Sequence, residues 1–231
     1  LLSPAGTKRA YFAGFGWTGE GLAAPDANTV WTADSPALTP ERPVTLSWDN
    51  GKGQRFAIKI AVDKDYMFTI SQTITNAGTG VVAARGYGYV SRNYGGREGS
   101  MFAGQEDVDI WTLHIGPIGS FNDTVEYETN YTDLDEMGPG GKSYTTKNGW
   151  LGFGDSYWLT ALIPAKGSDV TAAFRKQDGV YQAEYANAPA LIGPGKTVTT
   201  STRLFAGAKE VDLLDRYEDK EGVPLFDKAI D

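Results

Sequence analysis

The chain of 231 residues carries 29 acidic and 21 basic residues, one histidine and no cysteine, and its formal net charge is −8. The lack of cysteine excludes disulfides, thiolate nucleophiles and cysteine-ligated metal centres, and a single histidine excludes any site that needs two imidazoles. Because phosphates and anionic lipid head groups attract Lys and Arg, the negative charge predicts neither a nucleic-acid partner nor direct lipid binding.

Apolar residues are scattered along the chain, and no window approaches the roughly 18–20 apolar residues of a membrane span. The first four residues, Leu1 to Pro4, include no initiator methionine and no signal-peptide features. We therefore expect the sequence to be a piece of a longer protein, or a processed one.

Strand patterns fill the first 206 residues. Phe56, Ile58 and Ile60 alternate with small or polar residues, which is typical of a half-buried strand, and Asn50-Gly51 ahead of them is a hairpin signal. Similar runs separated by Gly, Asn, Asp and Pro predict strands at 11–17, 29–32, 44–48, 54–62, 66–75, 86–92, 107–115, 143–153, 156–163, 169–176, 179–187 and 197–205. They predict one all-β unit over residues 1–206, built from antiparallel sheets in a sandwich or barrel.

The tail changes period. Val211, Leu214 and Tyr217 recur at three-residue steps, which predicts a helix over 208–220 with a narrow apolar stripe. Gly222 and Pro224 end it in the expected order. Because the stripe needs a surface to cover, we expect these three side chains to dock the helix on the outer face of a sheet.

Two kinds of ligand-binding motif are matched only in part by the sequence. The run 14–19 has the spacing of a dinucleotide-binding glycine motif but opens no helix, so it predicts a glycine-rich strand and no cofactor. The acidic runs 63–65 and 133–136 lack the glycine and glutamate positions of a calcium loop, so they predict solvated turns and no metal.

His114 is the one imidazole available for acid–base catalysis, which would need a partner and a suitable pKa. A histidine at a strand end more often bonds to backbone, and no nucleophile elbow accompanies it. We therefore predict no catalytic residue, although His114 stays a candidate for a cleft or partner-binding role.

The densest aromatic stretch lies at 149–164. Trp150, Tyr157 and Trp158 could line a groove for a sugar or an extended peptide. Alternatively, Tyr157 belongs with Leu159, Ala161 and Ile163 to the buried face of a central strand, which is the interpretation that the alternation favours.

Three segments taken together resemble the periplasmic domain of the YidC membrane-protein insertases of Gram-negative bacteria. They are His114-Ile115-Gly116-Pro117-Ile118-Gly119, the run from Asn148-Gly149-Trp150 to Leu162-Ile163-Pro164, and the run from Arg203 to Glu210 that precedes Leu213-Leu214. Residues 2–6 and 15–17 also look like the family. The sequence departs from it at Ala206-Gly207-Ala208, where many members have a Gly-Pro-Lys step.

The resemblance implies a large twisted antiparallel β-sandwich, similar to galactose mutarotases, with a C-terminal helix packed on it. It implies a body at 1–206 that lacks the family's first strands, and a helical segment at 207–231 that leads toward the membrane core.

The function implied is that of a non-catalytic domain on the periplasmic face of the inner membrane, which assists insertion and folding of membrane proteins with or without the Sec translocon. The implied partners are Sec accessory subunits, nascent membrane proteins and the rest of the same insertase. A sugar-binding or mutarotase-like domain, and a chaperone-like module that grips extended polypeptide, remain alternatives.

Overall fold

The computed structural model describes residues 1–94 and 114–230, which form two antiparallel sheets, two α-helices and two 3₁₀ turns. The smaller sheet contains β1 (Tyr11–Thr18), β6 (Val82–Arg92), β9 (Lys142–Thr146), β12 (Val170–Gln177), β13 (Val180–Asn187) and β14 (Ala190–Ile192). The larger sheet contains β2 (Thr32–Ala33), β3 (Val44–Asp49), β4 (Gln54–Val62), β5 (Met67–Asn76), β7 (Gly116–Phe121), β8 (Thr124–Glu126), β10 (Gly149–Gly154), β11 (Trp158–Pro164) and β15 (Lys196–Ala208). The helices are α1 (Tyr131–Met137) and α2 (Val211–Glu221), and the 3₁₀ turns are Gly138–Gly140 and Asp227–Ala229.

The N-terminal half of the larger sheet follows the predicted meander of β3, β4 and β5. The alternation places Phe56 and Ile74 in the core, while Thr73 faces outward and bonds to Thr199 of β15 at 2.9 Å. The β3–β4 turn runs over Asn50–Gly53, with Gly51 and Gly53 in the left-handed region. The β3–β4 turn is therefore longer than the tight Asn-Gly turn that the sequence predicts.

β15 joins the two halves of the larger sheet. It pairs with β5 from Lys196 to Phe205 and with β11 from Thr202 to Ala208. The strand order β2-β3-β4-β5-β15-β11-β10-β7-β8 follows from this shared partner.

The two sheets enclose the core in two clusters. One contains Phe153, Leu162, Phe174 and Tyr185, and the other contains Trp17, Phe56, Ile58, Ile74 and Ile192. Burial of these large side chains between two sheets is the main stabilising interaction of a sandwich. The predicted fold class, an all-β sandwich closed by a C-terminal helix, is confirmed.

Several predicted boundaries are wrong. The run 143–153 is two strands, because a turn at Lys147 and Asn148 and the left-handed φ of Gly149 break it. The run 29–32 is mostly loop, and β7, β8, β14 and α1 were not predicted. Of the predicted strand 107–115, residues 107–113 lie outside the described residues, and the strand observed nearby begins at Gly116.

Candidate functional site

The C-terminal segment covers half of the outer face of the larger sheet. The cluster that joins them contains Met67, Ile118, Trp150, Leu159, Ala161, Ile163 and Phe205 from the sheet and Leu214, Tyr217, Val223, Phe226 and Ala229 from the tail. The ring of Phe226 packs edge-on against Trp150 and Phe205, with centroids 5.3 and 5.6 Å away. Because each such side chain stabilises by about 1.5–3 kcal/mol when fully buried, the tail is an integral part of the fold.

Polar contacts fix the register of α2 on the sheet. The Tyr217 hydroxyl donates to Asp63 Oδ2 at 2.6 Å, and Arg216 forms an ion pair with Asp65 in the same β4–β5 turn. The bond from Arg216 lowers the pKa of the Asp65 carboxyl, and burial raises the pKa of the Tyr217 phenol far above its usual value. The acidic run 63–65 is thus a helix anchor, and the expectation of merely solvated charge is wrong.

The second acidic run is also structural. Asp133 forms a capping box with Asn130 at the start of α1, and Asp135 accepts a bond from the Tyr181 hydroxyl at 2.6 Å. The run therefore lies in a helix and not in a turn, and Asp133 and Asp135 make structural bonds, although Asp135 and Glu136 are exposed as expected.

Of the three residues expected to dock the helix, Leu214 and Tyr217 are fully buried but Val211 is 59% exposed. Successive residues turn by about 100°, so each three-residue step moves the side chain by about 60° around the helix. Val211 therefore lies about 120° from Tyr217, outside the buried stripe. Docking by Val211 is a wrong expectation.

Trp150 does not line an open groove. Its side chain is fully buried in β10 beneath the tail, and its indole Nε1 donates to the carbonyl of Pro224 at 3.0 Å. It fixes the segment after α2 to the sheet, which is a structural role.

Tyr157 and Trp158 are exposed by 75% and 46% on the turn between β10 and β11, which we call the aromatic turn (Asp155–Trp158). The strand begins only at Trp158, so the expected place of Tyr157 in a buried strand face is wrong. Backbone bonds join Asp155 N to Trp158 O at 2.8 Å and Lys209 N to Tyr157 O at 2.9 Å. The turn is therefore held against the connection that leads into α2.

A largely buried ion pair supports the aromatic turn from below. Both oxygens of Asp155 accept from Arg92 Nη2 at 2.8 Å, and Arg92 Nη1 donates to the hydroxyl of Tyr131 at 3.0 Å. The guanidinium lies 4.8 and 4.9 Å from the ring centres of Tyr11 and Tyr94. Burial raises the pKa of Tyr11 to about 12, an effect that the nearby Arg92 partly offsets.

His114 lies two residues before β7, and its Nε2 is 2.7 Å from the carbonyl oxygen of Pro117. Gly116 pairs with Gly154, so the histidine lies close to the end of β10 from which the aromatic turn starts. The structure thus brings His114, Tyr157 and Trp158 to one end of the sandwich and leaves Trp150 under the tail.

The uncovered half of the larger sheet carries a groove that no motif in the sequence signals, because its lining comes from four separate strands and a loop. Its volume is roughly 520 Å³, which is ligand-sized. It is lined by Val30, Thr32, Ser47, Trp48, Asp49, Arg55, Phe56, Ala57, Thr73 and Thr75.

In the part of the chain that the structure describes, no group of three or more His, Asp or Glu side chains could hold a metal ion. No helix within residues 1–94 and 114–230 is long and apolar enough to cross a membrane.

The fold defines the chain as a two-sheet antiparallel β-sandwich domain whose C-terminal helical segment belongs to the outer face of the larger sheet. A family model described as the YidC periplasmic domain matches residues 1–231. The chain belongs to this family, and is thus the periplasmic-domain part of a membrane protein insertase.

Curated relatives from the same family match the whole length of this chain. The membrane protein insertase YidC of Zymomonas mobilis is 44% identical over 233 residues, which cover 100% of this chain and 39% of the relative. The protein of the same name from Acidiphilium cryptum is 39% identical over 251 residues, which cover 100% and 40%. The chain therefore spans about two fifths of the length of these relatives.

Solved structures with a similar fold include a galactose mutarotase-like protein from Lactobacillus casei, with a TM-score of 0.45 and 10% identity over 76% of this chain and 72% of that one. A galactose mutarotase related enzyme from Lactobacillus acidophilus has a TM-score of 0.44 and 11% identity, over 78% and 71%. Likenesses at this level have no bearing on function.

Proposed function

We propose that this chain is the non-catalytic, periplasmic part of a membrane-protein insertase and that it binds protein partners through the aromatic turn. The observation that carries the proposal is the exposure of Tyr157 and Trp158 on a turn held by the Arg92–Asp155 ion pair. Large aromatic side chains on a rigid support are typical of the anchor residues of protein interfaces, because little entropy is lost when they bind.

The proposed partners are accessory subunits of the Sec translocon and nascent membrane proteins, so the domain would assist insertion and folding with or without Sec. Its place would be the periplasmic face of the inner membrane. The body at 1–206 would carry the partner surface, and the segment at 207–231 would couple that body to the membrane core. Support for coupling comes from the hydrogen bonds that Tyr217 and Trp150 make between tail and sheet.

A photo-crosslinking amino acid in place of Tyr157 in the full-length protein tests partner binding directly. We expect crosslinks to a Sec accessory subunit or to an arrested nascent membrane protein. The matched control carries the same amino acid at Leu191, which is also exposed but lies on β14 of the other sheet. Equal yields from the two positions would contradict the proposal.

The non-catalytic part of the proposal is supported by the engagement of His114 with Pro117 O, which occupies one ring nitrogen. Polarimetry of galactose and glucose solutions in the presence of the chain should show no epimerisation above the uncatalysed rate. Turnover that disappears in His114→Ala would instead identify a mutarotase-like enzyme.

The groove of the larger sheet favours sugar binding as a second candidate function. Trp48 supplies apolar surface there, while Thr73, Thr75 and Arg55 supply hydrogen-bonding groups. A saturable change in tryptophan fluorescence with a monosaccharide, lost in Trp48→Phe, would support this candidate. If the fluorescence does not change up to millimolar sugar, sugar binding in the groove is excluded as a function.

A further inference from the structure

The aromatic turn lies next to the start of α2. Lys209 N donates to Tyr157 O at 2.9 Å, and α2 begins two residues later at Val211, which is 59% exposed. On the β5 side of the helix Arg216 bonds to Asp65, and Val211 lies about 140° from Arg216 around the helix axis. Val211 therefore faces the β10–β11 side, which is the side of the aromatic turn.

The outward side of α2 carries a row of three carboxylates. Asp212, Asp215 and Asp219 are all exposed, and they lie within about 60° of one another around the helix. The buried side chains of Leu214 and Tyr217 point to the opposite side. Within the described residues none of the three aspartates forms an ion pair. The row therefore presents its charge to the surroundings.

This acidic row does not stabilise the helix as a whole. Asp212 in the first turn interacts favourably with the helix dipole, but Asp219 lies near its negative end. Like charges three and four residues apart also lower the stability of a helix. The cations of α2 do not neutralise the row, because Arg216 is bound to Asp65 and Lys220 lies about 80° or more away around the helix.

Together these side chains form one surface with an apolar part and an acidic part. We call it the aromatic–acidic surface, and it consists of Tyr157, Trp158, Val211, Asp212, Asp215 and Asp219. Aromatic anchors supply most of the affinity of a protein interface, and charges beside them select partners of opposite sign. The surface therefore fits a partner that offers both apolar and positively charged groups.

We propose that the aromatic–acidic surface binds a folded partner protein through a patch that combines apolar side chains with Lys and Arg. The inference rests on the proposed function, because it gives the chemistry of the partner that the aromatic turn would bind. Translocated segments of membrane proteins are poor in Lys and Arg, since these residues concentrate in cytoplasmic loops. The acidic row therefore favours a folded accessory subunit over a nascent chain.

The first test uses the 231-residue chain and a fluorescently labelled synthetic helical peptide, with Leu on one side and Lys on the other. We expect saturable binding that weakens from about 50 mM to about 500 mM salt, because salt screens exposed charges. A peptide with Glu in place of Lys should not bind, and one with Ser in place of Leu should bind at least about tenfold more weakly. This arm leaves the protein unchanged, so it does not depend on a variant that folds.

A triple variant, Asp212→Asn with Asp215→Asn and Asp219→Asn, removes the acidic row and keeps the size of the side chains. It should bind the Leu–Lys peptide at least about fivefold more weakly. Val211→Ala should weaken binding about two- to threefold, because part of the apolar contact is lost.

The matched control changes the net charge by the same amount at other exposed positions. It combines Glu20→Gln, Glu41→Gln and Asp178→Asn, which lie in loops and turns outside α2. Peptide binding should change by less than about twofold, since distant exposed charges are screened by salt. Equal losses in this control and in the triple variant would show that only the net charge matters, and would overturn the proposal.

In the full-length protein, the triple variant should lower the yield of crosslinks from Tyr157 to a folded accessory subunit at least about fivefold. Unchanged yields, or crosslinks to nascent chains alone, would overturn the inference and leave the proposed function standing. Absence of any crosslink from Tyr157 in the parent would instead contradict the proposed function, so the two failures are distinguishable. Absence of peptide binding to the 231-residue chain would also overturn the inference.

Discussion

The hydroxyl of Tyr217 donates to the carboxylate of Asp63 at 2.6 Å, across 154 residues of sequence. The other oxygen of Asp63 accepts from the backbone amides of Asp65 and Met67, at 2.8 and 2.9 Å. One carboxylate therefore shapes the β4–β5 turn and also seats α2 on the sheet.

Tyr217→Phe should lower the free energy of unfolding by about 1–2 kcal/mol, because it removes this hydrogen bond and keeps the ring in place. Urea denaturation followed by circular dichroism measures the change. Tyr127→Phe, at an exposed position, should cost less than about 0.5 kcal/mol. Equal losses in the two variants would mean that the bond to Asp63 does not contribute.

Leu214→Ala should cost about 2–5 kcal/mol, because it leaves a cavity between α2 and the sheet. Val211→Ala on the same helix should cost less than about 0.5 kcal/mol, since Val211 is mostly exposed. The comparison of urea midpoints tests which side of α2 faces the sheet. Similar losses of stability in the two variants would mean that Val211 lies in the interface.

Arg92→Met should lower the free energy of unfolding by about 3–5 kcal/mol, because Asp155 would keep a buried charge without its partner. It should also lower the crosslinking yield at Tyr157, since the aromatic turn loses its support. Arg55→Met breaks an exposed ion pair with Asp49 and should have no measurable effect on either quantity.

Alkaline pH should destabilise the fold through buried tyrosines. The pKa of Tyr11 is about 12 in the folded state and about 10 when unfolded, so its contribution is complete below pH 10 and is lost as pH rises through 12. The slope due to Tyr11 should be about 1.4 kcal/mol per pH unit in this window. Urea unfolding at pH 9 to 12 should show a shallower decline for Tyr11→Phe than for the parent, and parallel declines would refute the assignment.

Gly152→Ala should cost about 3 kcal/mol or more, since its Cβ would lie 1.7 Å from the carbonyl oxygen of Thr160 in the neighbouring strand. Gly154→Ala, two residues along β10, meets the flexible end of Lys209 at 3.3 Å and the His114 carbonyl oxygen at an ordinary contact distance of 3.5 Å, so it should be close to neutral. Thermal melts of the pair would show the difference, and equal melting temperatures would contradict the close approach of β10 and β11.

Alternation along single strands made the N-terminal meander predictable, because only one face of those strands is buried. It fails at β11, where every residue from Leu159 to Ile163 is buried, since the core covers one face and the tail covers the other. Trp150 was expected to line a groove for the same reason, since the sequence does not show that the tail covers β10 as well. Sequence alone does not show against which strands the helix will pack.

The helix end at Gly222 was predictable, because left-handed backbone at the end of a helix favours glycine. The contacts of Asp63, Asp65 and Asp155 were not, since each joins segments between 63 and 154 residues apart. The glycine-rich strand predicted from the run 14–19 corresponds to β1, where the rings of Tyr89 and Tyr87 lie over Gly14 and Gly16.

The placement of Pro224 and Phe226 beside Trp150 has a mechanical consequence. Tension applied at Ile230 would first load the Phe226–Trp150 contact and only afterwards reach α2, Tyr217 and the turn at Asp63. The tail would detach from β10 first and from the β4–β5 turn later. Single-molecule pulling should therefore show an early extension at low force before the sandwich unfolds.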